Sequence, residues 1–436
     1  MRERKIINLL NNEKIWIIET IIFALILFFI LGNNISKICT IWEIEDESGY
    51  LFNASLFSNN DWRETFSNAR GYYGFGYSLL LIPLFYICSS GELLIRGCIV
   101  INILCLLGIY FIQISMMKNM FSHINNIVYP VVSFLVCLYP YLVSNTLKVT
   151  CEVFLTLQYW IVIRGLYTVL KKKRYIDFFM LSISSIFIFF IHTRAIVVTF
   201  SAIMAIIIMT IAGKIEVKKT FFFLIIAGGI FVFLYIIKSN ILSFLGTGII
   251  IETASEGGVN NVITLQYVLD RIKWLVMREN VLKYIVCAIA KLFYMAVSTA
   301  GMFILGIIHI WKEMRHEIKS VVDDYVKIVK IFCLISFMLM WIACIISGTG
   351  SSYNYMIYGR YYEYCAMPII LIGIMSLLSG VENKDLIVET DEEGYYIFEN
   401  IEEGNYLVVF EYNTEWYKTT TFEKEGIIES KICLDM

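Results

Sequence analysis

The sequence of 436 residues contains 58% hydrophobic residues and only 17% charged residues. Soluble domains carry about 25% charged residues, so this balance predicts a protein of the lipid bilayer. The 35 basic and 37 acidic residues give a net charge of −2, which excludes a nucleic-acid reader that depends on overall positive charge.

The first apolar run, residues 15–31, follows a short basic segment that contains Arg2, Arg4 and Lys5. No small-residue cleavage site comes after it, so we expect an uncleaved signal anchor with a cytoplasmic N-terminus. Further runs reach the roughly 20 residues that a spanning helix needs. They cover residues 92–117, 126–145, 149–170, 175–193, 195–213, 220–238, 283–311, 327–347 and 364–380. The sequence thus predicts an all-α polytopic membrane protein with about ten transmembrane helices.

A shorter apolar run, from Tyr77 to Cys88, decides the orientation of the later spans. Cytoplasmic loops concentrate lysine and arginine, and the basic groups face the cytoplasm only if this run does not cross the membrane. These groups are Lys118, residues 171–174, residues 214–219 and residues 312–319. We therefore expect a juxtamembrane helix at 77–88 and a multi-pass protein of the cell membrane with an extracytoplasmic active face. The substantial outer segments are then 33–91, 239–281 and 348–363.

The first outer loop contains an acidic cluster that includes Asp46 and Glu47. A carboxylate at a membrane interface, partly desolvated and near other acids, can have a raised pKa suited to accepting a proton from a hydroxyl. The alternative interpretation is a solvated acidic loop without a chemical role.

The motifs around this cluster follow an order that resembles that of a known superfamily. Asp46-Glu47-x-x-Tyr50 precedes a Gly-Tyr-Tyr-Gly-Phe-Gly-Tyr segment at residues 71–77, and Arg96 opens the next span. This arrangement resembles the GT-C glycosyltransferases, polytopic enzymes that use polyprenyl-phosphate sugars and include protein O-mannosyltransferases and aminoarabinose transferases. In that superfamily an Asp-Glu pair lies in the first extracytoplasmic loop. The resemblance implies that Asp46 is the general base or acceptor-orienting group, with Glu47 as its neighbour.

Two later segments fit the same resemblance. Glu152, just inside the fourth span, looks like the second acidic position of the superfamily, and a charge so placed is costly unless it is functional or paired. The alternative is a glutamate that extends to the membrane surface. Tyr358-Gly359-Arg360-Tyr361-Tyr362-Glu363 heads the tenth span and is similar to a Gly-Arg-Tyr-x-Glu segment of bacterial members. That segment places an outer-face arginine well for a lipid phosphate.

Three arginines, Arg96, Arg194 and Arg360, fall at the outer ends of spans, against the usual bias of positive charge. A guanidinium group binds phosphate oxygens bidentately and stays charged at any pH, so a lipid phosphate explains this placement. Anchoring to lipid headgroups is the alternative for each of them. The predicted catalytic residues are Asp46 and Glu47, and the predicted substrate-binding and phosphate-binding residues are Arg96, Glu152, His192, Arg194, Tyr358, Arg360 and Glu363.

The resemblance implies inverting transfer of a sugar from a polyprenyl-phosphate donor to an envelope glycan, lipid or protein acceptor. No GxGxxG or Walker pattern precedes a helix, as expected if the membrane delivers the donor. The cysteines lie inside apolar runs without CxxC spacing, so neither a disulfide framework nor a zinc site is expected. No cofactor is certain, and a divalent metal ion that bridges carboxylate and phosphate remains open.

The composition changes near residue 381, where charge rises and strand-like alternation begins. The pattern Asp391-x-x-Gly394-x-Tyr396-x-Phe398, continued to Tyr406, resembles the prealbumin-like B-type module of bacterial surface adhesins, of the collagen-binding and serine-aspartate-repeat kinds. Only the second half of that module is present. We therefore expect a transmembrane domain at 1–380 and a partial all-β sandwich at 381–436.

The tail conflicts with the predicted topology, because ten spans return residue 381 to the cytoplasm whereas such modules are extracellular. Either the 77–88 run crosses, or the last run does not, or the tail is a recombined fragment of a truncated or fused chain, and we favour the last. Two other functions are open. One is a non-catalytic flippase or polysaccharide transport protein, which also needs many spans and phosphate-binding arginines. The other is a membrane anchor that displays the tail.

Overall fold

The computed structural model describes residues 13–42, 44–58, 74–122, 124–244, 278–315, 324–348, 357, 359–379, 418–419 and 432–433. Up to residue 379 these ranges are mainly helical. The helices are α1 (Glu13–Gly32), α2 (Ile44–Ser55), α3 (Phe75–Ile87), α4 (Gly91–Met120), α5 (Val128–Cys137), α6 (Pro140–Thr146), α7 (Glu152–Lys172), α8 (Tyr175–Ile191), α9 (Ile196–Ile211), α10 (Val217–Phe244), α11 (Arg278–Ser298), α12 (Met302–Met314), α13 (Tyr325–Gly348) and α14 (Glu363–Ser379). Short 3-10 turns at Ile35–Lys37 and Thr193–Ala195 follow α1 and precede α9.

Within the described residues, 7 helices are long and apolar enough to cross a membrane, and an eighth span results if α5 and α6, which meet at a bend of 62°, count as one. The predicted multi-pass helical architecture is therefore present. Two runs counted among the ten predicted spans, α8 and α14, form shorter apolar helices of 17 residues. At 1.5 Å per residue such a helix is about 26 Å long, a few ångströms less than a typical hydrocarbon core.

Two predicted apolar runs have boundaries that the sequence did not show. The run at 77–88 forms α3, whose 13 residues give a length of about 20 Å, too short to span a bilayer as an isolated helix. The run at 283–311 is divided between α11 and α12. The break between them contains Gly301 with a φ of 81°, a left-handed conformation that glycine adopts at little cost and that ends a helix.

Helix α7 lies at the centre of the bundle and packs against α4, α8 and α13. Its aromatic residues Tyr159 and Trp160 are fully buried. In contrast, α10 leaves large apolar side chains such as Phe221 and Ile225 exposed, as expected for a helix that faces lipid. Of the 7 candidate spans, α7 is the least hydrophobic and the most enclosed by protein.

Contacts between helix ends show that successive helices run in alternating directions. At one end, the start of α1 meets the end of α4 through Trp16 and Lys118, and the end of α7 contacts Asn119 through Tyr167. At the other end, Arg96 near the start of α4 donates to the carbonyl of Ile38 beyond α1. Basic residues concentrate at the first end: Lys118, Lys171, Lys172, Lys173, Arg174, Lys218, Lys219 and Lys312. The second end carries the predicted site residues described below.

Close helix packing depends on glycines at two crossings. A Cβ atom at Gly373 on α14 would clash with the backbone carbonyl oxygen of Met302, and one at Gly306 on α12 would clash with that of Ile369. Similarly, Gly74 at the start of α3 lies directly against the carbonyl oxygen of Ile191. The absence of side chains lets these backbones approach each other, as small residues do at helix contacts in membranes.

The C-terminal residues form a separate compact unit, Leu378–Met436. In it the structure describes two short strands, β1 (Lys418–Thr419) and β2 (Ile432–Cys433), which pair antiparallel with Lys418 opposite Cys433. The strands predicted between residues 386 and 412 lie outside the described residues. The resemblance to an adhesin module therefore stays a prediction.

We expect Gly373→Ala to lower the free energy of unfolding by about 1–3 kcal/mol, because the new methyl group overpacks the crossing of α12 and α14. The matched control is Gly228→Ala on α10, where no atom lies within 4 Å of an added Cβ. Since alanine favours helix over glycine by about 1 kcal/mol, the control should be equally or more stable. Thermal unfolding of the full chain in detergent measures both, and a control that loses as much stability as Gly373→Ala would contradict the packing argument.

Candidate functional site

The site begins with the placement of helix α2, which carries Asp46 and Glu47. The carboxylate of Glu47 is buried and accepts backbone N–H groups from Trp42, before α2, and from Val149, before α7, the latter at 2.7 Å. A buried carboxylate needs such donors because it cannot be hydrated. Glu47 therefore links α2 to the segment that leads into α7. It is not among the described residues that line the cavity presented below.

Asp46 and Glu152 are joined by an arginine from the far end of the chain. Arg360 donates from Nη1 to Oδ2 of Asp46 at 2.7 Å and from Nε to Oε1 of Glu152 at 2.9 Å. The second oxygen of Glu152 accepts a hydrogen bond from Nη2 of Arg194 and one from the hydroxyl of Tyr141 at 3.4 Å. The structure thus brings together four predicted site residues that are widely separated in sequence.

Each of these charged groups lies at or next to a helix end. Glu152 is the first residue of α7, where the helix dipole favours a negative charge. Arg194 lies in the 3-10 turn before α9, and Arg360 lies just before α14. Because the helices alternate in direction, these ends meet on the same side of the bundle. The Glu152 side chain is only 2% exposed, whereas that of Asp46 is 30% exposed.

Aromatic and imidazole groups complete the wall of a small cavity. Its volume is about 30 Å³, and the described residues that line it are Asp46, Tyr50, Glu152, His192, Arg194, Arg360 and Tyr361. The guanidinium of Arg194 lies 4.8 Å from the ring centre of Tyr361, a cation–π contact. The Nδ1 atom of His192 accepts the backbone N–H of Arg194 at 3.3 Å, which fixes the turn before α9.

Tyr50 lies one helical turn after Asp46 on α2 and donates its hydroxyl proton to Sγ of Cys151 at 2.8 Å. Burial raises the pKa of Tyr50 well above its ordinary value, and the nearby Glu152 carboxylate raises it further. The phenol therefore stays protonated at physiological pH and acts as a hydrogen-bond donor in the cavity wall. A thiol this deeply buried behaves as a packing group.

Glu363 belongs to a neighbouring polar cluster and does not line the cavity. One of its oxygens accepts hydroxyl protons from Tyr139 at 2.8 Å and from Tyr294 at 3.0 Å. Gly359 lets the ring of Tyr294 lie close to the backbone here, because a Cβ atom at this position would displace that ring. The short segment from Gly359 to Glu363 therefore joins this cluster to the cavity through Arg360 and Tyr361.

Arg96, a predicted phosphate-binding residue, is placed differently from Arg194 and Arg360. Arg96 lies outside the cavity lining: it donates to the backbone carbonyls of Ser36 at 2.7 Å and Ile38 at 3.2 Å and pairs with Glu92 on its own helix. These contacts fasten the start of α4 to the segment after α1. Tyr358 lies outside the described residues.

Tyr50, Tyr361 and the Glu363-binding tyrosines were not assigned roles from sequence. Tyr361 adjoins Arg360 and Tyr50 follows Asp46 at i+4, so local spacing would have indicated both. Nothing in the sequence pairs Tyr139 or Tyr294 with Glu363, since they come from helices distant along the chain.

Metal binding was left open by the sequence and remains so. Among the residues that the structure describes, no group of three or more His, Cys, Asp or Glu side chains is close enough to share a metal ion. The cavity carboxylates of Asp46 and Glu152 are hydrogen-bonded to arginines. The donor set seen here is suited to an anion, because guanidinium groups repel a cation and bind phosphate or carboxylate oxygens.

Comparisons of this chain with protein-family models, with curated proteins and with solved structures find no match. The functional interpretation therefore depends on the chemistry of the residues themselves. These residues form an assembly of two carboxylates and two guanidinium groups at one end of a membrane-type helical bundle.

Proposed function

We propose that this protein is a multi-pass membrane glycosyltransferase of the GT-C type, which transfers a sugar from a polyprenyl-phosphate donor to a glycan, lipid or protein acceptor. The observation that carries the proposal is the convergence of Asp46, Glu152, Arg194 and Arg360 on one cavity. They come from four separate segments of the chain, and two of them are the cations that a phosphate leaving group requires.

The location of the cavity supports a membrane-delivered donor. It lies where α7, α9 and α14 begin, at the end of the bundle opposite the basic residues 171–174. A lipid phosphate is held at the headgroup level, at the ends of spanning helices and not at their midpoints. A donor that diffuses in the bilayer would therefore present its phosphate at the depth of Arg194 and Arg360.

The proposed reaction is an inverting displacement. The oxygen of an acceptor hydroxyl attacks the anomeric carbon of the donor sugar, and its proton passes to the carboxylate of Asp46. The bond between the anomeric carbon and the phosphate oxygen breaks, and its electron pair stays on that oxygen. Arg194 and Arg360 stabilise the charge that develops there. The products are the glycosylated acceptor and a polyprenyl phosphate.

The remaining residues support this arrangement. Glu152 bridges the two arginines and holds their charged groups in place, so its proposed role is to position them and not to accept a proton. Tyr361 packs against the face of Arg194, which limits the rotation of its guanidinium. Glu47, through its two backbone hydrogen bonds, fixes the helix that presents Asp46.

We also propose the orientation that places this cavity outside the cell. The alternating helices put Lys118, Lys171 and Lys219 at the end opposite Asp46, and positive charge marks the cytoplasmic side. In this orientation α8 and α14 complete a ten-pass bundle with a cytoplasmic N-terminus, and α3 is a juxtamembrane helix on the outer side.

A second candidate is a transporter of lipid-linked glycans. It is favoured by Lys291, which is 2% exposed in the middle of the candidate span Val281–Ser298 and lies 5.2 Å from the ring centre of Tyr362. Transporters bury ionisable groups within their spanning helices. The two functions differ in outcome: a transporter moves the lipid-linked sugar between leaflets unchanged, whereas the enzyme cleaves its sugar–phosphate bond.

The first test of the enzyme is Asp46→Asn. We expect transfer from radiolabelled polyprenyl-phosphate hexoses in proteoliposomes to fall by about 10²–10⁴-fold, the usual contribution of a general base. The control is Asp177→Asn, which removes another Asp–Arg pair, with Arg174, at the basic end of the bundle. Its transfer rate should equal that of the wild type. Full activity in Asp46→Asn, with unchanged folding, would reject the assignment.

The second test separates Glu47 from Asp46. We expect Glu47→Gln to lower the free energy of unfolding by about 1–3 kcal/mol, because an amide has only one oxygen to accept the two backbone N–H groups. The matched control, Glu92→Gln, changes a glutamate that is 46% exposed and should cost less than about 1 kcal/mol. Thermal unfolding in detergent compares the variants, and equal effects of both substitutions would remove the structural role given to Glu47.

A further inference from the structure

We propose that Asp46 and the phosphate group of a ligand compete for Arg360, so that phosphate binding and the departure of Asp46 from Arg360 are one event. This inference rests on the proposed function, since it concerns the order of events at the same site. It differs from the proposed function in predicting how Asp46 changes the affinity for phosphate, which is measurable without any transfer reaction.

The carboxylates of Asp46 and Glu152 occupy guanidinium hydrogen-bond donors that a phosphate would use. Arg360 directs Nη1 to Asp46 and Nε to Glu152, so both carboxylates engage the groups that would bind a phosphate. Arg194 donates to Glu152 through Nη2. Its Nε is buried, and among the residues that the structure describes it has no hydrogen-bond acceptor. A phosphate oxygen could accept a hydrogen bond from this Nε, which no described protein group does.

The second argument is space. The cavity between these side chains has a volume of about 30 Å³. A water molecule needs about 10–15 Å³ of such a cavity, so this one holds two or three waters, whereas a phosphate group has a phosphorus atom and four oxygens. A phosphate between Arg194 and Arg360 is therefore accommodated more readily when a lining side chain moves aside.

The third argument identifies Asp46 as the side chain that moves. Glu152 is 2% exposed, is held by both arginines and begins the central helix α7. Asp46 is 30% exposed and lies on the short helix α2, which is not one of the candidate spans. Displacing Asp46 moves a side chain that is already partly exposed to solvent, whereas displacing Glu152 would bury an unpaired charge.

Charge balance agrees with this exchange. Among the described lining residues, the two guanidinium groups balance the two carboxylates of Asp46 and Glu152 in charge. A sugar–phosphate diester carries one negative charge and can replace Asp46 at Arg360 without changing that balance. The Asp46 oxygen that was hydrogen-bonded to Arg360 can then accept the proton of the acceptor hydroxyl. The base would thus become active only with a donor in place.

The experiment measures phosphate affinity by isothermal titration calorimetry of the full chain in uncharged detergent. The probes are inorganic phosphate and farnesyl phosphate, which separate a free phosphate from a lipid phosphate. We expect Asp46→Asn and Asp46→Ala to bind farnesyl phosphate about tenfold more tightly than the wild type, because a charged competitor has been removed. Arg360→Gln should weaken binding by at least about tenfold.

Asp177→Asn is the matched control, because it removes an Asp–Arg pair far from the cavity and should leave both affinities unchanged. Using two Asp46 variants protects against one that fails to fold. A gain with farnesyl phosphate alone assigns the site to lipid phosphates, and a gain with both probes assigns it to the phosphate group itself; either result supports the competition.

Equal or weaker binding in the folded Asp46 variants, or the same gain in Asp177→Asn, overturns the inference. The outcome is distinguishable from failure of the proposed function. If the Asp46 variants bind phosphate more tightly but the wild type transfers no sugar, the competition is supported and the proposed enzyme is rejected. If the wild type transfers sugar but the Asp46 variants bind phosphate no more tightly, the proposed enzyme is supported and the competition is rejected.

Discussion

The paired charges of Glu152, Arg194 and Arg360 are the interaction on which the rest of the site depends. A carboxylate that is 2% exposed at the end of a membrane-type bundle is stable only when cations and hydrogen bonds replace its hydration. Those cations come from two other segments, so the pairing fixes the starts of α7, α9 and α14 relative to one another. Arg360 then extends the arrangement to Asp46 on α2.

One side of this site is buried in the bundle and the other side is more exposed. Glu152 and the two arginines are anchored in the bundle, and Tyr361 packs against Arg194. Asp46 is attached through a short helix whose position is set by Glu47. In the proposed mechanism the leaving-group charge meets the fixed donors on the buried side, and the base on the exposed side meets the acceptor.

The sequence could predict the membrane architecture and most of the cavity lining, for identifiable reasons. Long apolar runs can be recognised from sequence alone. Charged residues at their ends are conspicuous because the runs themselves contain few charges. Asp46, Glu152, His192, Arg194 and Arg360 were all predicted site residues, some of them through the resemblance, and the structure brings them together. The GT-C resemblance that gave them roles remains a proposal.

The sequence is less informative where interaction partners are remote along the chain or where backbone geometry decides. Arg96 satisfies the same sequence criterion as Arg360, yet it binds carbonyl groups of the segment after α1, which only folding can reveal. The run at 283–311 is continuous in hydrophobicity, and the break at Gly301 depends on a left-handed φ. Glu47 and Asp46 are adjacent in sequence, but Glu47 reaches two backbone amides and Asp46 reaches a guanidinium.

The central position of α7 has a consequence for how the protein is made. This helix is the least hydrophobic of the 7 candidate spans and is enclosed by neighbours, whereas α1 and α10 are rich in lipid-exposed apolar side chains. Partition into lipid during synthesis depends on the hydrophobicity of each segment, and α7 begins with a carboxylate whose cations, Arg194 and Arg360, are synthesised later. The ion pairs of Glu152 can therefore be completed only after the segment that carries Arg360 has been synthesised, so completion of this site is a late step of biogenesis.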